Sequence, residues 1–144
     1  MRSTVAVEFI GFFFTFASFN TLANFSSHAM AEDNFQDLGF ISNGIVYFVF
    51  AIVSLFSSVI VNHRLMGLKR AHVLGSFCYL VYALAFLAPA FNHLASKENT
   101  IPKIAIRVIV CTGAAICGFG AGVIWPAQGA LLTECANGDE TKKI

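Results

Sequence analysis

The chain has 144 residues, 57% hydrophobic and 12% charged, with a net charge of +1 and a mean hydropathy of +0.73. That balance is too apolar and too poor in charge for an ordinary water-soluble domain, and no nucleic-acid partner is expected. The apolar residues form continuous runs instead of the alternation a lipid-exposed barrel requires, so the expected fold class is an all-α membrane protein. A bilayer-spanning helix takes about 20 apolar residues, and the runs at residues 5–25, 40–61, 73–91 and 104–133 predict one four-helix transmembrane domain.

The first run is too long for the apolar part of a signal peptide. It has almost no basic segment before it and ends in Asn20, Asn24 and Ser26, so it reads as a retained span. Helical spacing puts Glu8, Gly11, Thr15 and Ser18 on one face and Phe9, Phe12, Phe16 and Phe19 on another, one to pack and one to meet lipid. Asn20 and Asn24 are stacked one turn apart near the outer end and are expected to bond a neighbouring helix. Residues 26–39 are polar and carry Glu32, Asp33 and Asp37 together with Phe35 and Leu38. They are expected to lie along the outer surface as a loop or short helix.

In the second run, Asn43 and Gly44 at the outer end and Ser54, Ser57 and Ser58 deeper are all tolerable as interhelical glue. Residues 62–72 form an inner hairpin with Arg64, Lys69 and Arg70, and Gly67 supplies its turn. Pro89 predicts a kink near the outer end of the third run. A polar outer loop follows, and Pro102 starts the fourth run. Arg107 lies about one turn inside, placed to snorkel to the interface or to pair within the bundle.

Lysine and arginine near short loops set orientation. Arg2, the hairpin cations, Lys142 and Lys143 share one side, and Lys97, Lys103 and Arg107 the other. Both termini are therefore expected on the inner side.

The fourth run is the most informative. Gly118, Gly120 and Gly122 alternate within it, and with Gly113 and Ala114 they read as a helix-packing face. Their spacing is not that of a dinucleotide loop and no strand precedes them. Trp125-Pro126 is expected to break the helix ladder, and Gln128 either bonds the freed carbonyls or lines a cavity. Cys78, Cys111, Cys117 and Cys135 form no CxxC pair, and His28, His63, His72 and His93 show no ligand spacing, so neither metal nor cofactor is expected beyond bound lipid. No nucleophile, base and orienter can be assembled, and the chain reads as a non-enzyme.

The order Gly11-Phe-Phe-Phe-Thr-Phe-Ala-Ser-Phe-Asn20, Asn24-Phe-Ser-Ser27, Val73-Leu-Gly-Ser-Phe-Cys-Tyr79, then the Gly-x-Gly, Trp, Ala-Gln-Gly and Leu-Thr elements of residues 118–133 resembles the first four helices of a known family. This is the ion channel regulatory family named for the uncoordinated-ninety-three locus, a branch of the major facilitator superfamily. Gly67, Lys69 and Arg70 fit the superfamily's loop between its second and third helices, whereas Ala23 and Arg64 depart from the family pattern. The resemblance implies the N-terminal third of a twelve-helix, two-halved transporter-like fold.

With four helices and no second half to rock against, the leading expectation is a non-catalytic integral membrane subunit, a truncated transporter-like bundle. It would be an accessory or structural component of a larger complex, such as a mitochondrial respiratory or ATP synthase complex. Its partners would be membrane lipids and other membrane-protein subunits, in the mitochondrial inner membrane or the plasma membrane. The alternative is a fragment or multi-chain part of a major facilitator type solute transporter, with Asn20, Asn24, Trp125 and Gln128 as cavity or polar contacts. A channel-regulating subunit, contacting its partner through the acidic outer loop and basic hairpin, is the third.

Overall fold

The computed structural model describes residues 2–32, 35, 37–61, 66–94 and 101–138, with side chains except at 2–5, 8, 25–29, 31–32, 92–94 and 134–138. Five helices account for nearly all of them: α1 (Arg2–Glu32), α2 (Leu38–Val61), α3 (Gly67–Ala85), α4 (Leu87–Leu94) and α5 (Lys103–Gly138). Among the described residues, Leu38–Val61, Gly67–Phe91 and Lys103–Thr133 are each long and apolar enough to cross a membrane. The chain is an all-α membrane protein. In hydrocarbon the backbone must satisfy its own polar groups, which is why uninterrupted apolar sequence becomes helix here.

α5 is the axle of the bundle. Both α2 and α3 pack along it and scarcely touch each other, and α1 rests more lightly on α2 and α3. The burial of the apolar stretches follows: 56% for Lys103–Thr133 against 17% for Leu38–Val61. Three buried clusters lie along the axle. Val61, Ala71, Val123 and Ala127 form one at the end of the bundle near Gly67. Phe19, Val46, Tyr82, Ala114 and Cys117 form the middle one, and Met30, Phe35, Leu38, Ile106 and Val110 the one at the opposite end.

Several local expectations need correction. α1 does not stop near residue 25 but runs on to Glu32. Phe35 and Leu38 do not lie along the surface. They are 4% exposed and plug the end of the bundle away from Gly67, because two large apolar side chains in a polar segment gain most by folding inward. The kink expected from Pro89 is present: the third span is interrupted at Phe86, whose amide turns back to the carbonyls of Ala83 and Leu84. Pro89 is the cause, since a proline has no N–H for the carbonyl four residues earlier, here Ala85, and its ring crowds that carbonyl.

At Pro126 the expected break does not occur, and α5 continues through it to Gly138. The Gly122 carbonyl four residues back loses its usual donor here too. The neighbours Val123, Ile124 and Ala127 are almost wholly buried and hold the helix on both sides.

Of the serines expected as glue in α2, Ser57 donates to the Ser54 carbonyl of its own helix, and the buried Ser54 hydroxyl has no partner. The α2 serine that joins two helices is Ser42, which donates to the Gly39 carbonyl and accepts from the Tyr82 hydroxyl of α3 at 3.5 Å. Thr15, Thr21 and Thr133 likewise donate to carbonyls four residues earlier, at Gly11, Ala17 and Gly129. Bonding of this kind lets polar side chains face lipid without leaving a donor unpaired.

Candidate functional site

The glycines predicted as one packing face lie on two. Residues two apart on a helix point about 200° apart, so Gly118 and Gly122 meet α2 while Gly120 meets α3. A Cβ on Gly118 would lie 2.5 Å from the Val46 carbonyl oxygen, and one on Gly122 would lie 2.6 Å from Val53 Cβ. A Cβ on Gly120 would lie 2.4 Å from Cys78 Cβ and 3.1 Å from the Gly75 carbonyl oxygen, and one on Gly113 would lie 2.7 Å from Ala85 Cβ. Gly75 answers from α3, where a Cβ would lie 2.7 Å from Ile124 Cβ. Close backbone approach substitutes for the hydrophobic drive that lipid cannot supply.

α1 is fastened by aromatic edges. Phe12 and Phe16 meet Trp125 edge-on at 5.0 and 5.2 Å. Phe19 meets Tyr79 edge-on at 5.3 Å and lies 6.0 Å from Tyr82. Phe12, Phe16 and Phe19 of the phenylalanine face therefore pack, while Phe9 is exposed. Grooves of about 390 Å³, lined by Thr15, Ser18, Ser76 and Tyr79 among others, and about 360 Å³, lined by Gly11, Thr15, His72 and Ser76 among others, separate its other face from α3. They share Thr15 and Ser76, and most of their lining is apolar.

The expected amide contacts are redistributed. Asn20 donates to the Phe16 carbonyl of its own helix and Asn24 is exposed. The amide that joins α1 to another helix is Asn43 of α2, which donates to the Ala23 carbonyl at 3.4 Å. Its own Oδ1 is buried without a partner. An unpaired buried acceptor costs roughly what one weak hydrogen bond returns, about 1 kcal/mol. Asn43→Leu is accordingly expected to leave unfolding free energy within about 1 kcal/mol of the parent, measured by reversible unfolding in mixed micelles. A loss well beyond that would show the bond to be a principal fastening of α1.

Gln128 neither bonds the freed carbonyl of α5 nor lines a described groove. It is 7% exposed, and its Oε1 lies 2.8 Å from Nε2 of His72 on α3. His72 was not distinguishable from the other histidines in sequence, because its partner lies 56 residues away. Of the inner basic hairpin, Arg64 lies outside the described residues. Gly67 has φ +70°, the left-handed conformation that glycine adopts at least cost, and it opens α3. Lys69 and Arg70 are exposed and border a groove of about 370 Å³ with Val73, Leu74 and Phe77. Among the described residues no three His, Cys, Asp or Glu side chains converge as metal ligands would.

This architecture of apolar helices closing on a glycine-rich fourth run agrees with one family. Residues 34–143 match the family described as Ion channel regulatory protein UNC-93. The chain belongs to the UNC-93 family. It is 34% identical to UNC93-like protein 3 of Arabidopsis thaliana over 106 residues, 74% of this chain and 19% of that protein. It is 29% identical to UNC93-like protein MFSD11 of Xenopus tropicalis over 135 residues, 92% of this chain and 26% of that protein. The chain thus spans about a fifth to a quarter of the length of these relatives. No solved structure matches it.

Proposed function

We propose that this UNC-93 family chain works as a non-catalytic integral membrane subunit that binds other membrane proteins side by side and regulates or supports them. The observation that carries this reading is the division of the bundle. α2, α5 and α3 are locked by backbone contact at glycines, while α1 is held by a few aromatic edges and leaves an open track toward α3. A rigid core with one lightly held helix suits lateral binding of a neighbouring transmembrane segment, and the family description supports a channel-regulating role. The distribution of lysine and arginine supports both termini on the inner side. Candidate hosts are a plasma-membrane channel and a mitochondrial respiratory or ATP synthase complex.

The deciding experiment is mild detergent extraction of the endogenous protein, a native gel and mass spectrometry of the co-migrating bands. One defined large complex, with the same partners on repeat, is expected and would name the host. Migration as a free small species would overturn the reading.

A second reading, a part of a major facilitator type solute transporter, is favoured by the polar residues Thr15, Ser18, Ser76 and His72 that line these grooves. Solute counterflow by the expressed gene product, lost when Thr15 and Ser76 are made valine, would select it.

A further inference from the structure

α3 carries two cations at one end of an apolar stripe. Lys69, Val73 and Phe77 follow one another at four-residue spacing, and Arg70 and Leu74 stand beside them, so all five share one side of the helix. Together they line the groove of about 370 Å³. The buried face of α3, with Ala71, Gly75, Cys78 and Tyr82, is turned into the bundle, whereas Lys69, Arg70, Val73 and Phe77 are exposed. The groove therefore faces away from the other helices. We propose that it seats an anionic phospholipid, the phosphate held by Lys69 and Arg70 and one acyl chain lying along Val73, Leu74 and Phe77.

Among the described residues, no protein group answers this charge. Asp37 is the only carboxylate whose side chain is described, and it precedes Leu38, which belongs to the cluster at the opposite end of the bundle. α3 has no acidic residue in its first turn, and Met66 before it supplies no side-chain cap. The first amides of a helix lack intrahelical partners and carry the positive end of its dipole, which adds to the two cations. At the other end of the bundle the Lys103 ammonium is already engaged, 5.9 Å from the centre of the Phe35 ring. A phosphate diester suits the free pair: a guanidinium forks onto two of its oxygens and an ammonium adds a point charge.

The apolar part of the groove selects a lipid over a free anion. From Lys69 to Phe77 the helix rises about 12 Å, most of the roughly 15 Å of hydrocarbon in one leaflet. A headgroup on the cations therefore leaves its chain beside Phe77. Lysine and arginine stems lie along apolar surface while their heads reach the interface, which puts both charges level with phosphates. An inorganic phosphate would use the cations alone and gain nothing from Val73, Leu74 and Phe77. Glu8, Arg64 and Glu134 have side chains outside the described residues, so they enter the test as variants.

The test uses the full chain in vesicles of equal parts phosphatidylcholine and phosphatidylglycerol, with brominated acyl chains on one lipid or the other. Trp125 is the only tryptophan. Trp125→Phe with Phe77→Trp places a single fluorophore in the groove, and Trp125→Phe with Leu55→Trp places it on the exposed face of α2. Bromine quenches at contact, so the two quenching levels give the affinity of phosphatidylglycerol relative to phosphatidylcholine at each position. In the groove a preference of about tenfold is expected, the scale set by two interfacial cations, and at Leu55→Trp almost none. Lys69→Gln with Arg70→Gln should abolish the groove preference, whereas Glu8→Gln, Arg64→Gln and Glu134→Gln should leave most of it. Inorganic phosphate added at constant ionic strength should not remove it. Equal affinities in the groove, or the same preference at Leu55→Trp, overturn the proposal whether or not the glutamine variants fold. Removal by inorganic phosphate would show a free-anion site and overturn it too. So would a preference that survives Lys69→Gln with Arg70→Gln, which would leave the pair for a protein partner.

Discussion

Gly120→Ala is expected to destabilise the bundle by about 1–3 kcal/mol, the usual cost of forcing a methyl into a filled core, and Gly118→Ala by a similar amount. The added Cβ at 120 would lie 2.4 Å from Cys78 Cβ, and the one at 118 would lie 2.5 Å from the Val46 carbonyl oxygen. These neighbours are backbone or the first atom of a side chain, so rotamer adjustment does not relieve the clash. The helices themselves have to part. Because α5 lies between α2 and α3, backing away from one clash drives it into the other. The double variant Gly118→Ala, Gly120→Ala should therefore cost more than the sum of the singles. Gly129 and Gly44 are the controls, since a methyl added at either would have nothing within 4 Å. There alanine should be neutral or stabilising by roughly 0.5–1 kcal/mol, through lower backbone entropy in the unfolded chain. Reversible unfolding in mixed micelles reads all of these. A Gly120→Ala protein as stable as the Gly129→Ala protein would rule out the close packing of α5 on α3.

Phe19→Ala is expected to release the middle of α1 while α2, α3 and α5 stay together. Phe19 is 7% exposed and lies against both Tyr79 and Tyr82. Aromatic pairs add about 0.5–1.5 kcal/mol each beyond burial. Truncating a buried Phe costs about 3–5 kcal/mol in water-soluble cores, and lipid refilling the space lowers that figure. A loss of roughly 2–4 kcal/mol in α1 docking follows from these limits. Trp125→Ala should act in the same direction but less, roughly 1–3 kcal/mol, because it removes two aromatic edges from a residue 39% exposed. The measurement is the rate of disulfide cross-linking between cysteines placed at Ser18 and Ser76, which line the same groove, compared with a pair joining α2 to α5. The α1–α3 rate should fall in both variants and the α2–α5 rate should hold. Equal loss of both rates would mean that α1 is an integral part of the core, not an attached helix.

How much of this was legible in the residues depends on the range over which each feature acts. Hydropathy acts locally, so continuous apolar runs of sufficient length already specified helix, membrane and, through the order of motifs such as Gly118-x-Gly120 and Ala127-Gln-Gly129, the family. The left-handed turn at Gly67 was equally local. Features that depend on two local effects at once were misjudged. The kink expected at Pro89 is present, at Phe86 next to the Ala85 carbonyl whose bond the proline removes, whereas Pro126 breaks nothing, because its neighbours Val123, Ile124 and Ala127 are clamped. The glycine cluster announced close packing, but its division into an α2 side and an α3 side emerged only when α5 was seen between two partners.

The remaining features are properties of contact between distant segments, and no local signal carries them. Nothing near Phe35 or Leu38 distinguishes a surface loop from a plug over Met30, Ile106 and Val110. Asn20, Asn24 and Asn43 could all serve as interhelical amides, and only packing selected Asn43 for the contact. His72 resembled the other membrane-edge histidines until Gln128 was brought to within 2.8 Å. Composition and periodicity determined that this chain is a bundle of membrane helices, because transfer from water to lipid is summed residue by residue. Which polar groups meet, and which face of each helix is covered, was decided only by tertiary packing, because those free energies exist only between surfaces already in contact.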